Sequence, residues 1–387
     1  MVYAGAGSTS FEQARKDLLH LANLDIKTER VRRATTRNGK ARLALTHLLE
    51  QAFLEKPIPE QLRGGPADQE APPIAAVMCD GGRYQRFDRG EAKPESGSFW
   101  RESRVACLLS MTAASYGNDP GSDLPDFLKD VSIAKKLAEI GQVQGENPVA
   151  QKQTDQDQDS PWERGEMLSK EVVASSRNWK EFGSQVASQA WYRGFGKATH
   201  KVFVSDGSSA IEELQAAWFS DYTSVLDIMH ALSYSLAAAR AIHSDRDTAW
   251  QCYQQFATWI WRGEVDQVIA SLAEHQQQLG EPPADASESD PREIVRRSRV
   301  YYSNHRSRMN YPLYREKGYP LTSSIMESTV KQVSRRVKGT EKFWSSEGGE
   351  AVLQLRGDYL STSDPMVAHW KRAIAAANGF RTYRLSA

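Results

Sequence analysis

Cysteine is scarce: Cys79, Cys107 and Cys252 are the three in 387 residues. Three thiols cannot build a disulfide framework, and no Cys-x-x-Cys pair offers a zinc signature. No apolar run reaches the ~18 residues that suggest a membrane-crossing helix. The N-terminus shows no basic stretch followed by an apolar one, so no secretory signal is expected. A reducing, cytoplasmic setting without membrane contact fits this combination. Net charge is missing too, since 49 Lys and Arg balance 49 Asp and Glu. There is no repeat of fixed period. There is no P-loop either, because Gly-Ala-Gly-Ser at 5–8 lacks the following Lys and succeeds no strand. Hydrophobic residues make up 40%, enough to exclude overall disorder. At about 150 residues per domain, the length suggests two or three domains.

The zero net charge hides an uneven distribution. Residues 291–387 hold 18 Lys and Arg against 8 Asp and Glu, residues 1–50 hold 9 against 5, and the stretch between them carries −14. Basic ends suit a polyanionic partner, or simply two solvated faces. Segments 56–73, 142–161 and 276–291 are rich in Pro, Gly, Gln and acid, and are expected as loops or disorder.

Residues 10–22 carry helical spacing of apolar side chains behind a Thr9/Ser10 cap. A short turn at Asn23–Asp25 precedes a basic helix, Ile26–Thr36, with Lys27, Arg30, Arg32 and Arg33. That is the outline of a helix-turn-helix, shared with any amphipathic helical pair. Strands are expected at 74–79, 83–88 and 99–111, the first two joined as a hairpin through Asp80-Gly81-Gly82, and again at 201–205 and 222–226. Helices are expected at about 164–198, 209–219, 228–242, 246–261 and 264–277. Three adjacent strands followed by strand–helix alternation give a mixed α/β layout, with the element order of a ribonuclease-H-like core.

Two acids share one setting. Val77-Met78-Cys79-Asp80-Gly81 and Val202-Phe203-Val204-Ser205-Asp206-Gly207 each end an apolar strand with Asp-Gly. Strand ends are where α/β sheets bind ligands, though Asp-Gly is also a common turn dipeptide. A third acid, Glu327, falls in the first turn of a helix expected after Pro320, Thr322 and Ser323, with Lys331 and Arg335 further along the same face. An intrahelical ion pair is the plain reading of Glu327 and Lys331. Three carboxylates also suit phosphodiester chemistry: hard divalent cations prefer carboxylate oxygens, and two ions about 3.5–4 Å apart stabilise both the attacking and the leaving oxygen.

These motifs resemble bacterial insertion-sequence transposases of the Asp-Asp-Glu type, closest to the Kra-type insertion-sequence group. The matching pieces are VMCDGGRYQ (77–85), VFVSDGSSAIEEL (202–214), SVLDIMHALSYSL (224–236) and IMESTVKQVSRRVKGTEKFWSSEGGEAVLQLR (325–356). The resemblance implies an α/β ribonuclease-H-like core, a mixed sheet flanked by helices, over 74–227 and 320–360. An all-α insertion would occupy 228–319, a small helical DNA-binding region 1–55, and a basic tail 361–387. It implies Asp80, Asp206 and Glu327 as a metal-binding catalytic triad for two Mg2+ ions, with Mn2+ able to substitute. Lys331, Arg335, Arg336, Lys338 and Trp344 would contact DNA, with Asp227 and His230 as possible accessories. The expected activity is strand cleavage and strand transfer on double-stranded DNA by a homo-oligomer. The alternatives are a nuclease of the same fold without strand transfer, or a shortened, inactive remnant that only binds DNA, the stretch before Asp80 being brief for the group.

Other features are expected to pack. Trp250, Trp259 and Trp261 fall in the helical insertion and read as core. Cys79 reads as a buried strand residue. Arg296, Arg297, Arg299, Arg306 and Arg308 interleave with Tyr301, Tyr302 and Tyr311, either as a phosphate-tracking surface or as a solvated helix face.

Overall fold

A computed structural model describes residues 1–88, 98–142, 165–372, 374 and 375. The Gln/Asp-rich segment from 143 to 161 and the last twelve residues of the basic tail lie outside the described residues. The chain opens with α1 (Val2–Gly7), α2 (Phe11–Ala22), α3 (Thr28–Leu54) and α4 (Ile58–Arg63). Next come β1 (Ile74–Arg86), β2 (Trp100–Met111), α5 (Asp126–Lys129), α6 (Ile133–Gln142), β3 (Met167–Ser175) and α7 (Trp179–Trp191). The alternating part ends with β4 (His200–Ser205), α8 (Ser209–Trp218) and β5 (Thr223–Leu226). Helices α9 (Ile228–Ile242), α10 (Arg246–Trp261), α11 (Val265–Leu279), α12 (Pro291–His305) and α13 (Tyr311–Glu316) then run without a strand between them. The described fold closes with α14 (Ser324–Val337), β6 (Phe343–Trp344) and α15 (Ser346–Leu360).

The sheet is mixed and open, in the order β3-β2-β1-β4-β5, with β6 also pairing β1. β2 pairs antiparallel with both β1 and β3, whereas β4 and β5 run parallel to β1. Side chains alternate across a strand, and β1 divides accordingly. Ile74, Ala76 and Met78 enter a core built with the helices from α9 to α14. Ala75, Val77 and Cys79 face the opposite core, with Phe182 and Val186 of α7 and Ile211 and Leu214 of α8. Cys79 is thus the buried strand residue the sequence suggests, and Trp261 is buried with Trp250 and Trp259 packed beside it. No described helix is long and apolar enough to cross a membrane.

Three expectations change. The hairpin at 80–82 does not form. β1 continues through it, with Asp80 opposite Val105, Gly81 opposite Arg104 and Gly82 opposite Ser103. The glycines serve packing instead: a Cβ at Gly82 would stand 2.9 Å from Ser103 Oγ and 3.5 Å from Val330 Cγ1 on α14. The helix expected from 164 begins only at Trp179, because 167–175 forms β3 on the outer side of β2. Its Glu171 is buried and satisfied from far along the chain, by Arg193 at 2.8 Å and by Ser363. The segment 56–73 is not loose either. It contains α4, and Lys201 Nζ donates to the Leu62 carbonyl while Lys197 Nζ donates to those of Pro66 and Gln69.

The second N-terminal helix runs to Leu54, well past the expected Thr36. Its buried stripe lies along α15, where Arg42 pairs with Asp358 at 2.7 Å and Gly39 meets the Ala351 backbone. A Cβ on Gly39 would stand 2.4 Å from the Ala351 carbonyl oxygen. Gly39→Ala should therefore push α3 off α15 and cost about 1–3 kcal/mol, despite the better helix propensity of Ala. A denaturant titration that found the variant more stable would refute this packing.

Candidate active site

The register of β1 and β4 sets up the site. The two strands pair in parallel up to Met78 opposite Val204. Two residues beyond each partner stand Asp80 and Asp206, on the same face by alternation. Asp80 lies inside β1, a correction to its expected place at a strand end; it is β4 that stops there. At Asp206 the chain turns through Gly207, whose φ of +88° favours glycine. Asp206 Oδ1 accepts from the Ser208 amide at 2.9 Å. Glu327 occupies the first turn of α14, as expected, and that helix packs on β1 at Gly82, beside Val330 and Ser334. Lys331 Nζ is 4.0 Å from Glu327 Oε2 and largely exposed.

The acids feel one another. Burial raises the Asp80 carboxyl to about 7, helped by the charges of Asp206 and Glu327 and opposed by the Gly81 amide and His230. The Gly81 amide donates to Asp80 Oδ1 at 2.6 Å. Burial also raises Glu327, with Asp227 adding to it and His230, Lys331 and Lys136 of α6 easing it. Burial opposes charge on His230, but Asp227, Asp206 and Glu327 outweigh it and hold the imidazole up at about 9. His230 is therefore a cation at neutral pH among four carboxylates. Its Nδ1 lies 3.8 Å from Asp227 Oδ1, an ion-pair distance too long for a hydrogen bond.

Asp227 has a different task. It is fully buried, and its Oδ1 caps α9 by accepting from the Met229 and His230 amides at 2.7 and 3.2 Å. Its Oδ2 accepts from both the amide and the hydroxyl of Ser323, the residue that starts α14. Burial alone would raise this carboxyl, but these donors and His230 keep it low. Asp227 thus bolts the start of α9 to the start of the helix carrying Glu327.

Among the described residues, no three His, Cys, Asp or Glu side chains stand together as a formed metal centre. The donor chemistry nevertheless fits a hard divalent cation. Asp80, Asp206 and Glu327 offer only carboxylate oxygen, and burial, with the charges of Asp206 and Glu327 added, is what raises Asp80.

The basic residues separate into two groups. Lys331 and Arg335 are exposed on α14. Lys338 is half-buried, with Nζ 5.9 Å from the Trp100 ring and Arg83 nearby. Arg336 departs from its expected DNA contact. It is 1% exposed, donates from Nε to the Gly5 carbonyl at 3.0 Å and lies over Phe11 and Trp344. Arg356 likewise donates to the Ala6 and Gly7 carbonyls. Two guanidinium groups therefore meet the C-terminal carbonyls of α1, where helix ends favour cations. Trp344 also packs rather than stands open: its Nε1 donates to the Val337 carbonyl at 2.9 Å and its ring meets Phe11 edge-on. Arg336→Ala is expected to lower stability by about 2–4 kcal/mol. Arg335→Ala should leave stability unchanged and, on the function proposed below, reduce the salt dependence of DNA binding by about one phosphate contact. Paired melting and salt-titration measurements check both; the reverse pattern would reassign the two arginines.

Sequence reasoning missed Lys136 and the role of Ser323. Lys136 sits in an ordinary amphipathic helix with no motif, and only tertiary packing carries it to Glu327. Ser323 was legible as a helix start but not as a donor to Asp227. No known family model matches the chain, and no curated protein matches it.

Proposed function

We propose that this chain is a metal-dependent DNA transposase, a nuclease and strand transferase with Asp80, Asp206 and Glu327 as its catalytic carboxylates. The observation that carries this reading is the placement of the acids: β1 and β4 pair in parallel up to Met78 and Val204 and carry Asp80 and Asp206 two residues further on, while α14, which bears Glu327 in its first turn, packs on β1 at Gly82. The strand order β3-β2-β1-β4-β5, with β2 antiparallel to both its neighbours and β4 and β5 parallel to β1, supports a ribonuclease-H-like core. The helices between β5 and α14 support an insertion between the second and third acids.

Asp80, Asp206 and Glu327 would hold Mg2+ or Mn2+. Bound there, the metal supplies the positive charge that ionises an attacking water or 3′-hydroxyl and offsets the leaving oxygen. Lys331 and Arg335, exposed on the same helix as Glu327, hold flanking phosphates. His230 keeps part of the local negative charge balanced. Asp227 positions α14.

The test is strand joining. The full chain, Mg2+, duplex fragments selected for binding and a supercoiled plasmid should yield joined products, none of them in EDTA or with Glu327→Gln. Nicking without joining would leave a nuclease, and binding without either would leave a DNA-binding protein.

A further inference from the structure

Helix α12 carries a feature that the proposed chemistry leaves unused. A cleft of about 240 Å3 opens between α12 and α9, lined by Tyr234, Arg296, Arg297, Val300, Tyr301 and His305. Tyr234 and Tyr301 stack face to face, with centroids 3.8 Å apart and 10° between planes. His305 meets Tyr301 edge-on at 4.7 Å. The cleft is one residue layer from the acids. The Tyr301 hydroxyl donates to the Asp206 carbonyl at 3.0 Å, and a Cβ on Gly207 would stand 2.8 Å from His305 Nε2.

The lining chemistry is specific in kind. Stacked phenol rings offer a surface for a planar ring, and such stacking tolerates any base. The exposed amide of Asn304, also on the lining, can donate and accept at a ring edge. Two guanidinium groups stand at the cleft, Arg296 held by Glu293 at 2.7 Å and Arg297 at 3.5 Å from Glu288. Aromatic surface, an amide and arginine side by side suit a heteroaromatic ring joined to phosphate. At this volume the cleft falls below the about 300–1,000 Å3 of pockets for drug-sized ligands, which suits one nucleotide's ring and excludes a base pair.

We propose that this cleft holds one unpaired base of a DNA strand whose backbone passes Asp206. The inference rests on the reading of Asp206 as part of the strand-processing site. The link from Tyr301 to the Asp206 carbonyl then couples the bound base to the turn carrying that acid.

The test needs no catalysis. In EDTA, the full chain is mixed with a single-stranded oligodeoxynucleotide carrying one 5-iododeoxyuridine, irradiated and mapped by mass spectrometry. The adduct is expected on Tyr234 or Tyr301. Val300 is 40% exposed, so Val300→Glu should fold normally while placing a carboxylate in the cleft. It should weaken single-strand binding about tenfold and abolish the adduct, leaving duplex binding unchanged. Tyr234→Phe, which keeps the ring, should retain both. An adduct elsewhere, wild-type binding by Val300→Glu, or equally tight binding of a free deoxynucleotide would overturn the proposal. A mapped adduct together with failed strand joining would keep the cleft and refute the catalytic reading instead.

Discussion

Asp80→Asn is expected to lower Mg2+-dependent strand cleavage by on the order of 10³-fold while making the metal-free protein more stable at pH 8. The two effects have one cause. Asp80 sits beside two other carboxylates, and burial with their charges raises it to about 7, well above its ordinary value. A carboxyl with a raised folded pKa binds its proton more tightly when folded. Its contribution is fully present below about pH 4 and is lost as pH rises through about 7. Asparagine cannot ionise, keeps an oxygen for the Gly81 amide and escapes that loss. Melting curves in EDTA should therefore separate the two proteins far more at pH 8 than at pH 5. Added Mg2+ should stabilise the wild type and leave Asp80→Asn nearly unmoved. Equal melting at both pH values would mean that the acids do not repel, and the case for a shared cation would fall with it.

Asp227→Ala is expected to be among the most destabilising single changes at the site, although Asp227 need not touch the substrate. The substitution leaves the Met229, His230 and Ser323 amides and the Ser323 hydroxyl without their acceptor in a buried place. It also leaves His230 without its nearest counter-charge. Removing one partner of a buried charged network costs about 3–5 kcal/mol, a fall in melting temperature of roughly 10 °C. Ser323→Ala removes a single hydroxyl and should cost about 1 kcal/mol. Because Ser323 starts the helix bearing Glu327, its loss should lower kcat more than it raises KM. If Ser323→Ala instead weakened DNA binding with kcat intact, the loop would belong to the DNA surface rather than to the support of α14.

Much of this arrangement was legible in the residues. The strands at 74–79 and 201–205 and the stretch Val105–Leu109 of β2 are short apolar runs, and burial on both faces of the sheet explains why they read as runs rather than as alternation. The loop ending at Ser323 and the spacing of Met326, Val333 and Val337 mark α14 and so place Glu327 in its first turn. What stayed hidden depended on distant partners. β3 reads as helix because Met167, Leu168, Lys170 and Glu171 are good helix formers, and only β2 and the contact with Ser363 make it a strand. Gly81-Gly82 reads as a turn because glycine is common in turns, whereas here both residues continue β1, where a side chain would crowd Glu102 and Ser103 of β2. Arg336 reads as a phosphate ligand because it follows Arg335, yet the face it occupies is the one covered by α1.

Crystals of the chain with a DNA strand end and Mn2+ show whether carboxylates from β1, the end of β4 and α14 form one metal centre, because the anomalous signal locates the ion independently of the protein. Mn2+ is expected between Asp80 and Asp206, with Glu327 oxygen drawn to within about 2.2 Å of an ion and away from Lys331. Manganese bound at Asp227, or a Glu327 carboxylate left beside Lys331 while the ion binds without it, would rule out the shared centre.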